Sequence, residues 1–247
     1  MLEEVKKAGK PFVFRYRPDN DFTLDEIKNS YVYFQKRELL NDPLDSTPDL
    51  IDLKKIDIEK LFKAFEIIVG KEKREYIEKK LSLKQLEDTV RESIPKFINK
   101  HGIACFSMLP GVNMPLLTNY ANSHQGLYLQ YNIELDSNFF RGLKLMNYQK
   151  ELKKIPIELL ENEEEIYNLF YLKHKNWSYE KELRVIKENF GKHNINRNAL
   201  RNIICGYKCS EKFINKILEA NRFNKHVSVW IMEKPSELNR LKLNLID

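Results

Sequence analysis

Short runs of alternating bulky residues recur along the chain, and single helical segments separate them. That order confines the fold to mixed α and β structure. "FVFRYR", Phe12 to Arg17, alternates β-formers and stops at Pro18, as a strand does. "YVYFQ" (31–35), "IACFSM" (103–108), "LYLQYNI" (127–133) and "LKLMNY" (143–148) read as further strands, as do "ELRVIKE" (182–188), "LRNIICGY" (200–207) and "HVSVWIME" (226–233). Between them, "TLDEIKNS" reads as a short helix capped by Thr23 or Asp21, whose side chains can accept from a free helix N–H. "PLLTNYANSH" reads as a helix beginning at Pro115, "ENEEEIYNLFYLKHK" as an amphipathic helix over 161–175, and "SEKFINKILEAN" as a helix over 210–221. The expected fold is α+β, with a mixed, mostly antiparallel sheet.

One stretch breaks this rhythm. From Asp57 to Lys100 the chain is charged and helical in period, with Leu61, Phe62, Phe65, Ile68 and Val69, then Leu83, Leu86, Val90, Ile94 and Phe97, at helical spacing. It reads as a helical insertion over about 50–100 within a single α+β domain spanning 1–247, its apolar stripes serving packing. Only eight glycines occur in 247 residues, which removes the main support for Gly-rich phosphate loops and dinucleotide-binding turns.

Lys and Arg number 42 against 36 Asp and Glu, a net charge of +6 that permits nucleic acid or a phosphate-bearing ligand as partner and equally suits a plain basic surface. Cys105, Cys205 and Cys209 show neither disulfide nor metal-ligand spacing, so reduced thiols are expected. The first residues lack an apolar secretory region and no apolar run approaches a membrane span, so a cytoplasmic location without membrane contact is expected.

Four clusters can carry chemistry. Arg15 and Arg17 share one face of the first strand, with Phe14 and Tyr16 on the other; a guanidinium fork suits pyrophosphate or carboxylate, or the arginines pair with Glu180 or Glu182. Asn41-Asp42-Pro43-Leu44-Asp45 is a turn in which Asp42 or Asp45 could ligate a metal, though the other ligands of a coordination shell are missing. Cys105, Ser107 and His124 offer nucleophile pairs without an orienting third residue. In "NWSYEKELRVIKENF", alternation puts Glu180, Glu182 and Arg184 on one strand face, after Trp177 and Tyr179. That is either a solvated charge ladder or a carboxylate pair fit to stabilise a positive sugar centre when a glycosidic bond breaks.

In order along the chain, "FRYR", "NDPLD", "ACFS", "YANSHQGLYLQY", "KHKNWSYEKELRVI" and "IICGYKCSE" resemble the motifs of a widespread bacterial family labelled a domain of unknown function. The resemblance spans most of the chain outside the helical stretch. It departs where that family often has a tryptophan, here Leu117. More distantly, the layout is similar to the ADP-ribosyltransferase fold, above all its bacterial toxin branch. That likeness implies NAD as substrate, Glu182 as the catalytic glutamate and Glu180 as the group that orients or deprotonates the acceptor. Arg15 corresponds to its first motif residue, holding the phosphates with Arg17 nearby. Ser107 or Tyr120 corresponds to its second, and Tyr16 or Tyr179 would stack on nicotinamide. It further implies a toxin or anti-phage effector with a nucleic-acid or protein acceptor and a cognate neutraliser. A non-catalytic nucleotide- or partner-sensing module and a nucleic-acid-binding protein are the competing readings. Arg184, on the same face as Glu182, is placed to occupy its carboxylate and idle the site.

Overall fold

The computed structural model of the chain describes residues 11–52, 59, 63, 66, 67, 69–109, 113–156, 163–234 and 242–246. In chain order the strands are β1 Phe12–Arg17, β2 Tyr31–Phe34, β3 Ile51–Asp52, β4 Gly102–Ser107, β5 Leu127–Asn132, β6 Lys144–Leu145 and β7 Asn147–Gln149. They continue with β8 Ile155–Pro156, β9 Leu172–His174, β10 Glu182–Lys187, β11 Gly191–Asn194, β12 Leu200–Cys205, β13 Ser228–Met232 and β14 Leu243–Leu245. The helices are α1 Asp21–Asn29, α2 Lys71–Glu78, α3 Leu83–Lys100, α4 Met114–Tyr120, α5 Glu163–Asn168 and α6 Glu211–Asn221.

Eight strands form one sheet in the order β14-β13-β12-β5-β1-β4-β10-β6, antiparallel except where β12 meets β13. The expected α+β class with a mostly antiparallel mixed sheet is the class observed. Alternation along β1 places Val13 in a core shared with Ile27 of α1, Ile217 of α6 and the inward residues Phe106, Leu129 and Leu183. On the other face two smaller cores divide the sheet. Phe14, Tyr128 and Ile204 pack with Leu117 and Ala121, while Ile103 packs with Ile94, Phe97, Phe170 and Leu172. A cleft opens between these two cores.

The sheet is parted where that cleft lies. β1 pairs with β5 along its whole length but meets β4 at a single register pair among the described residues, Phe14 with Ser107. The Arg15 guanidinium spans the opening, donating from Nη1 to the Cys105 carbonyl (3.3 Å) and from Nη2 to the Tyr33 carbonyl (2.9 Å). Burying that cation is tolerable because Nε donates to Glu26 Oε1 at 3.0 Å.

Several boundaries differ from the sequence reading. The cap of α1 is Asn20, whose Oδ1 accepts from the Thr23 N–H at 3.0 Å; Thr23 instead donates its hydroxyl to the Pro18 carbonyl, and Asp21 lies in the first turn. Helix α4 stops at Tyr120, and Asn122, Ser123 and His124 turn through left-handed backbone, where short polar side chains are tolerated. The helix expected over 161–175 is helical at Glu163–Asn168, then a 3₁₀ turn at Leu169–Tyr171, then strand β9; 161 and 162 lie outside the described residues. "LKLMNY" divides into β6 in the main sheet and β7 paired with β9. Within the helical stretch, Ile94 and Phe97 are buried as expected. Leu61, Phe62, Phe65 and Ile68, and the side chains of Leu83, Leu86 and Val90, lie outside the described residues. No described helix is long and apolar enough to cross a membrane.

Gly126 locks the turn after α4 against β1: a Cβ there would lie 2.2 Å from the Arg17 carbonyl oxygen and 2.9 Å from the Pro18 Cα. Backbone cannot yield as a flexible side chain can, so Gly126→Ala is expected to destabilise the fold by about 2 kcal/mol or more. Urea unfolding of the two proteins checks this; unchanged stability would contradict the close approach.

Candidate functional site

Three carboxylates and two cations from distant parts of the chain meet at the floor of the cleft. Arg184, 1% exposed, leaves β10 and grips Asp45 with both terminal nitrogens, Nη1 to Oδ1 at 2.6 Å and Nη2 to Oδ2 at 2.5 Å. Its Nε donates to Glu182 Oε1 at 2.5 Å, and the Phe170 carbonyl accepts from Nη1 at 2.9 Å. Lys173, from β9, donates to Glu180 Oε2 at 2.7 Å and to Glu182 Oε2 at 2.8 Å, and lies 3.7 Å from Asp45 Oδ2. The Tyr120 hydroxyl, from the end of α4, donates to Glu180 Oε1 at 2.6 Å. Every oxygen of the two glutamate carboxylates has a donor.

Strand alternation accounts for Glu182 and Arg184, which share a face of β10, but not for Glu180. The strand begins at Glu182; Glu180 closes a 3₁₀ turn over Lys175–Glu180, and Lys181 adopts a left-handed conformation (φ 44°). Glu180 reaches the cleft because Ser107, opposite Glu182 in the register, donates its hydroxyl to the Glu180 carbonyl at 2.7 Å.

The two glutamates are driven apart in acidity. Burial works to raise Glu182, but Arg184 and Lys173 outweigh it and hold the carboxyl at about 2. Glu180 goes the other way: burial raises it, Lys173 opposes, and the Glu182 charge adds to the rise, so it stays above the ordinary carboxylate range. Burial alone would lower the Lys173 ammonium, yet Glu182, with Glu180 and Asp45, outweighs burial and Arg184 and holds it above its usual value. Burial first, then the Glu180 charge, push the Tyr120 phenol up. A pair of carboxyls with separated acidities is the arrangement that assigns one to charge and the other to proton transfer.

The cleft has a volume of about 230 Å³, and its walls include Phe14, Tyr16, Arg17, Gln35, Leu40 and Leu116 as well as Arg15, Ser107 and the charged floor. Of the residues singled out in the sequence, Arg15, Tyr16, Arg17, Ser107, Tyr120, Glu180 and Glu182 all line it. Tyr179 does not; its hydroxyl accepts from Asn119 at 3.3 Å on the surface, while Trp177 covers the Lys173 ammonium at 4.9 Å. Arg15 has its donors engaged as described above, and neither arginine of β1 pairs with Glu180 or Glu182: both meet Glu26, Arg17 Nε at 2.9 Å from Oε2. His124 approaches Thr118 at 3.3 Å and stacks on Tyr207, away from Cys105 and Ser107, so no Ser/His or Cys/His pair forms. Asp42 accepts from the Leu44 N–H and shapes the turn, while Asp45 serves Arg184. Among the described residues no group of three His, Cys, Asp or Glu side chains is arranged to hold a metal ion. Leu117 is fully buried beside Phe14 and Tyr128, in the core behind the cleft rather than in its lining.

Lys173, Glu26 and Asp45 as an ion-pair partner went unread in the sequence. Lys173 falls within the helical pattern expected over 161–175, and Asp45 stands 139 positions from the arginine it holds.

Removing one partner strands a buried charge, so Arg184→Met is expected to cost about 3–5 kcal/mol, and Arg184→Met with Asp45→Leu less than the single change. Denaturant unfolding of both variants tests the pairing, and additive losses would contradict it. Because Glu182 is held below its unfolded value, its contribution is present above an unfolded carboxyl pKa of about 4.3 and is lost as pH falls through about 2. Glu182→Gln should therefore lose less stability than wild type on acidification from pH 5 to 2, a difference on the order of 3 kcal/mol; parallel pH curves would contradict it.

Comparison with known protein families, with curated proteins and with solved structures yields no match, so a functional reading of the cleft rests on its own chemistry.

Proposed function

We propose that the chain is an ADP-ribosyltransferase-like enzyme that binds NAD in this cleft, breaks its bond to nicotinamide and passes ADP-ribose to a nucleic-acid or protein acceptor. The observation that carries this reading is the opposite charge of the cleft's two ends. Beside β1, two arginines face one carboxylate, Glu26, an excess of one positive charge. At the floor, three carboxylates face two cations, an excess of one negative charge while Glu180 is ionised. NAD joins a cationic nicotinamide ring to an anionic pyrophosphate, and so matches both ends. A cleft near the lower limit of ligand sites holds the nicotinamide-ribose half, with the adenosine half beyond its mouth.

In this reading Glu182, anionic throughout, steadies the ribose cation as the bonding electron pair leaves with nicotinamide. Glu180, with the higher proton affinity, takes the proton of the attacking acceptor. Arg17, the more exposed of the two β1 arginines, meets the phosphates, and Arg15 holds the sheet opening in shape. Tyr16 offers the aromatic face, its hydroxyl donating to the Leu109 carbonyl at 3.1 Å. Further support comes from the adjacency of β1, β4 and β10, which lets Arg15, Ser107 and Glu182 line one cleft in the order the resemblance assigns them. The fold is accordingly read as of ADP-ribosyltransferase type, with the helices over 50–100 inserted in it and a toxin or defence effector as the biological role.

One observation favours a second reading, a non-catalytic sensor of nucleotides: Arg184 and Lys173 saturate both oxygens of Glu182. Chromatography of nicotinamide released from NAD separates the two. The enzyme reading expects release that falls about 100-fold or more in Glu182→Gln, the scale of a lost transition-state contact. NAD binding by calorimetry with no release in any extract would instead make the cleft a sensor, and neither binding nor release would sink both.

A further inference from the structure

We propose that Lys173 is a positioning residue shared by the two carboxylates: with Arg184 it keeps Glu182 anionic, and as the cation on Glu180 it restrains that carboxyl's hold on the proton, so that Glu180 can both accept and return it. Its catalytic consequence rests on reading the cleft as the place where a glycosidic bond breaks; the sharing itself does not.

The geometry is unequal by construction. Glu182 has two cations, Arg184 at 2.5 Å and Lys173 at 2.8 Å, whereas Glu180 has Lys173 at 2.7 Å and only a neutral partner, Tyr120, at 2.6 Å. One ammonium shared between two buried acids cannot satisfy both fully, so the acid without the second cation is the first to take up a proton. The other groups around the pair do not reverse this. Asp45 is held by Arg184, and the Tyr148 and Tyr179 phenols and the Cys105 thiol are all pushed up by burial and stay neutral.

The ammonium is delivered by a dedicated ribbon. β9 pairs with β7 in the register Tyr148 with Lys173, and the Tyr148 hydroxyl accepts from the Glu182 backbone N–H at 2.9 Å. That ribbon is rooted through Leu172, Tyr171 and Phe170 in the core containing Ile94 and Phe97 of α3. Helix α3 thereby anchors the ribbon that carries Lys173 to the site on the sheet.

The test is a pH titration of the Glu180 carboxyl by ¹³C NMR of glutamate-labelled protein, its signal assigned by its loss in Glu180→Gln. The expected midpoint lies above the ordinary carboxylate range in wild type and rises by about one unit or more in Lys173→Met, while Lys173→Arg, which keeps the charge, holds it close to wild type. An unmoved midpoint in folded Lys173→Met would overturn the assignment. Should Lys173→Met not fold, the wild-type ¹⁵Nζ signal of Lys173 decides: a step at the Glu180 midpoint supports the sharing, and no step overturns it. No NAD is needed, so this outcome is independent of nicotinamide release. Where release is measured, its acid limb should move upward in Lys173→Met with the titration, a change that a merely structural lysine would not produce.

Discussion

Five ionised or ionisable side chains buried at one point, Asp45, Lys173, Glu180, Glu182 and Arg184, set terms that the rest of the structure must meet. An unpaired ion in such a place costs several kcal/mol, and pairing repays this only with good geometry and no spare oxygens. The loop at 45, strand β9, the 3₁₀ turn at 175–180 and strand β10 therefore have to arrive together. Each is pinned separately: Asp45 by its fork on Arg184, Glu180 by the Ser107 hydroxyl beneath its carbonyl, and Glu182 by the Tyr148 hydroxyl on its N–H. Arg15 performs a parallel task on the far side of the parted sheet, joined to Glu26 and two backbone carbonyls.

Much of the sheet was legible because alternation of bulky residues with polar ones has one simple solution. β1, β4, β5, β10, β12 and β13 stand where that pattern puts them. Order along the chain cannot reveal which strands meet, so the neighbourhood of β1, β4 and β10 emerges only from the fold. Helical period misled at 161–175, because a short helix, a buried 3₁₀ turn at Leu169–Tyr171 and the start of β9 at Leu172 together present the same apolar run. The site was legible where residues share a strand and obscure where they do not. Glu182 and Arg184 follow from period two; Glu180 joins them through a left-handed Lys181 that alternation does not anticipate. Lys173 carries no local signal, and Asp45 is visible only as a turn former.

Two cations are shared unequally among three acids: Arg184 and Lys173 saturate Glu182, while burial, helped by the Glu182 charge and opposed by Lys173 alone among the cations, raises Glu180. Such a floor keeps its fixed negative charge on Glu182 and its responsive charge on the carboxyl nearest Tyr120. A ligand cation entering the cleft then meets one fixed anion and one group able to change charge. That combination suits the departure of a neutral ring from a positively charged nucleotide followed by deprotonation of an acceptor, without requiring either glutamate to serve both ends of the reaction.

The most direct measurement is a crystal structure of the chain with an NAD analogue whose nicotinamide bond resists cleavage. The nicotinamide ribose is expected within hydrogen-bond reach of Glu180 and Glu182, the ring against Tyr16, and the pyrophosphate at Arg17. An analogue bound elsewhere on the molecule, or an empty cleft at saturating concentration, would contradict this placement.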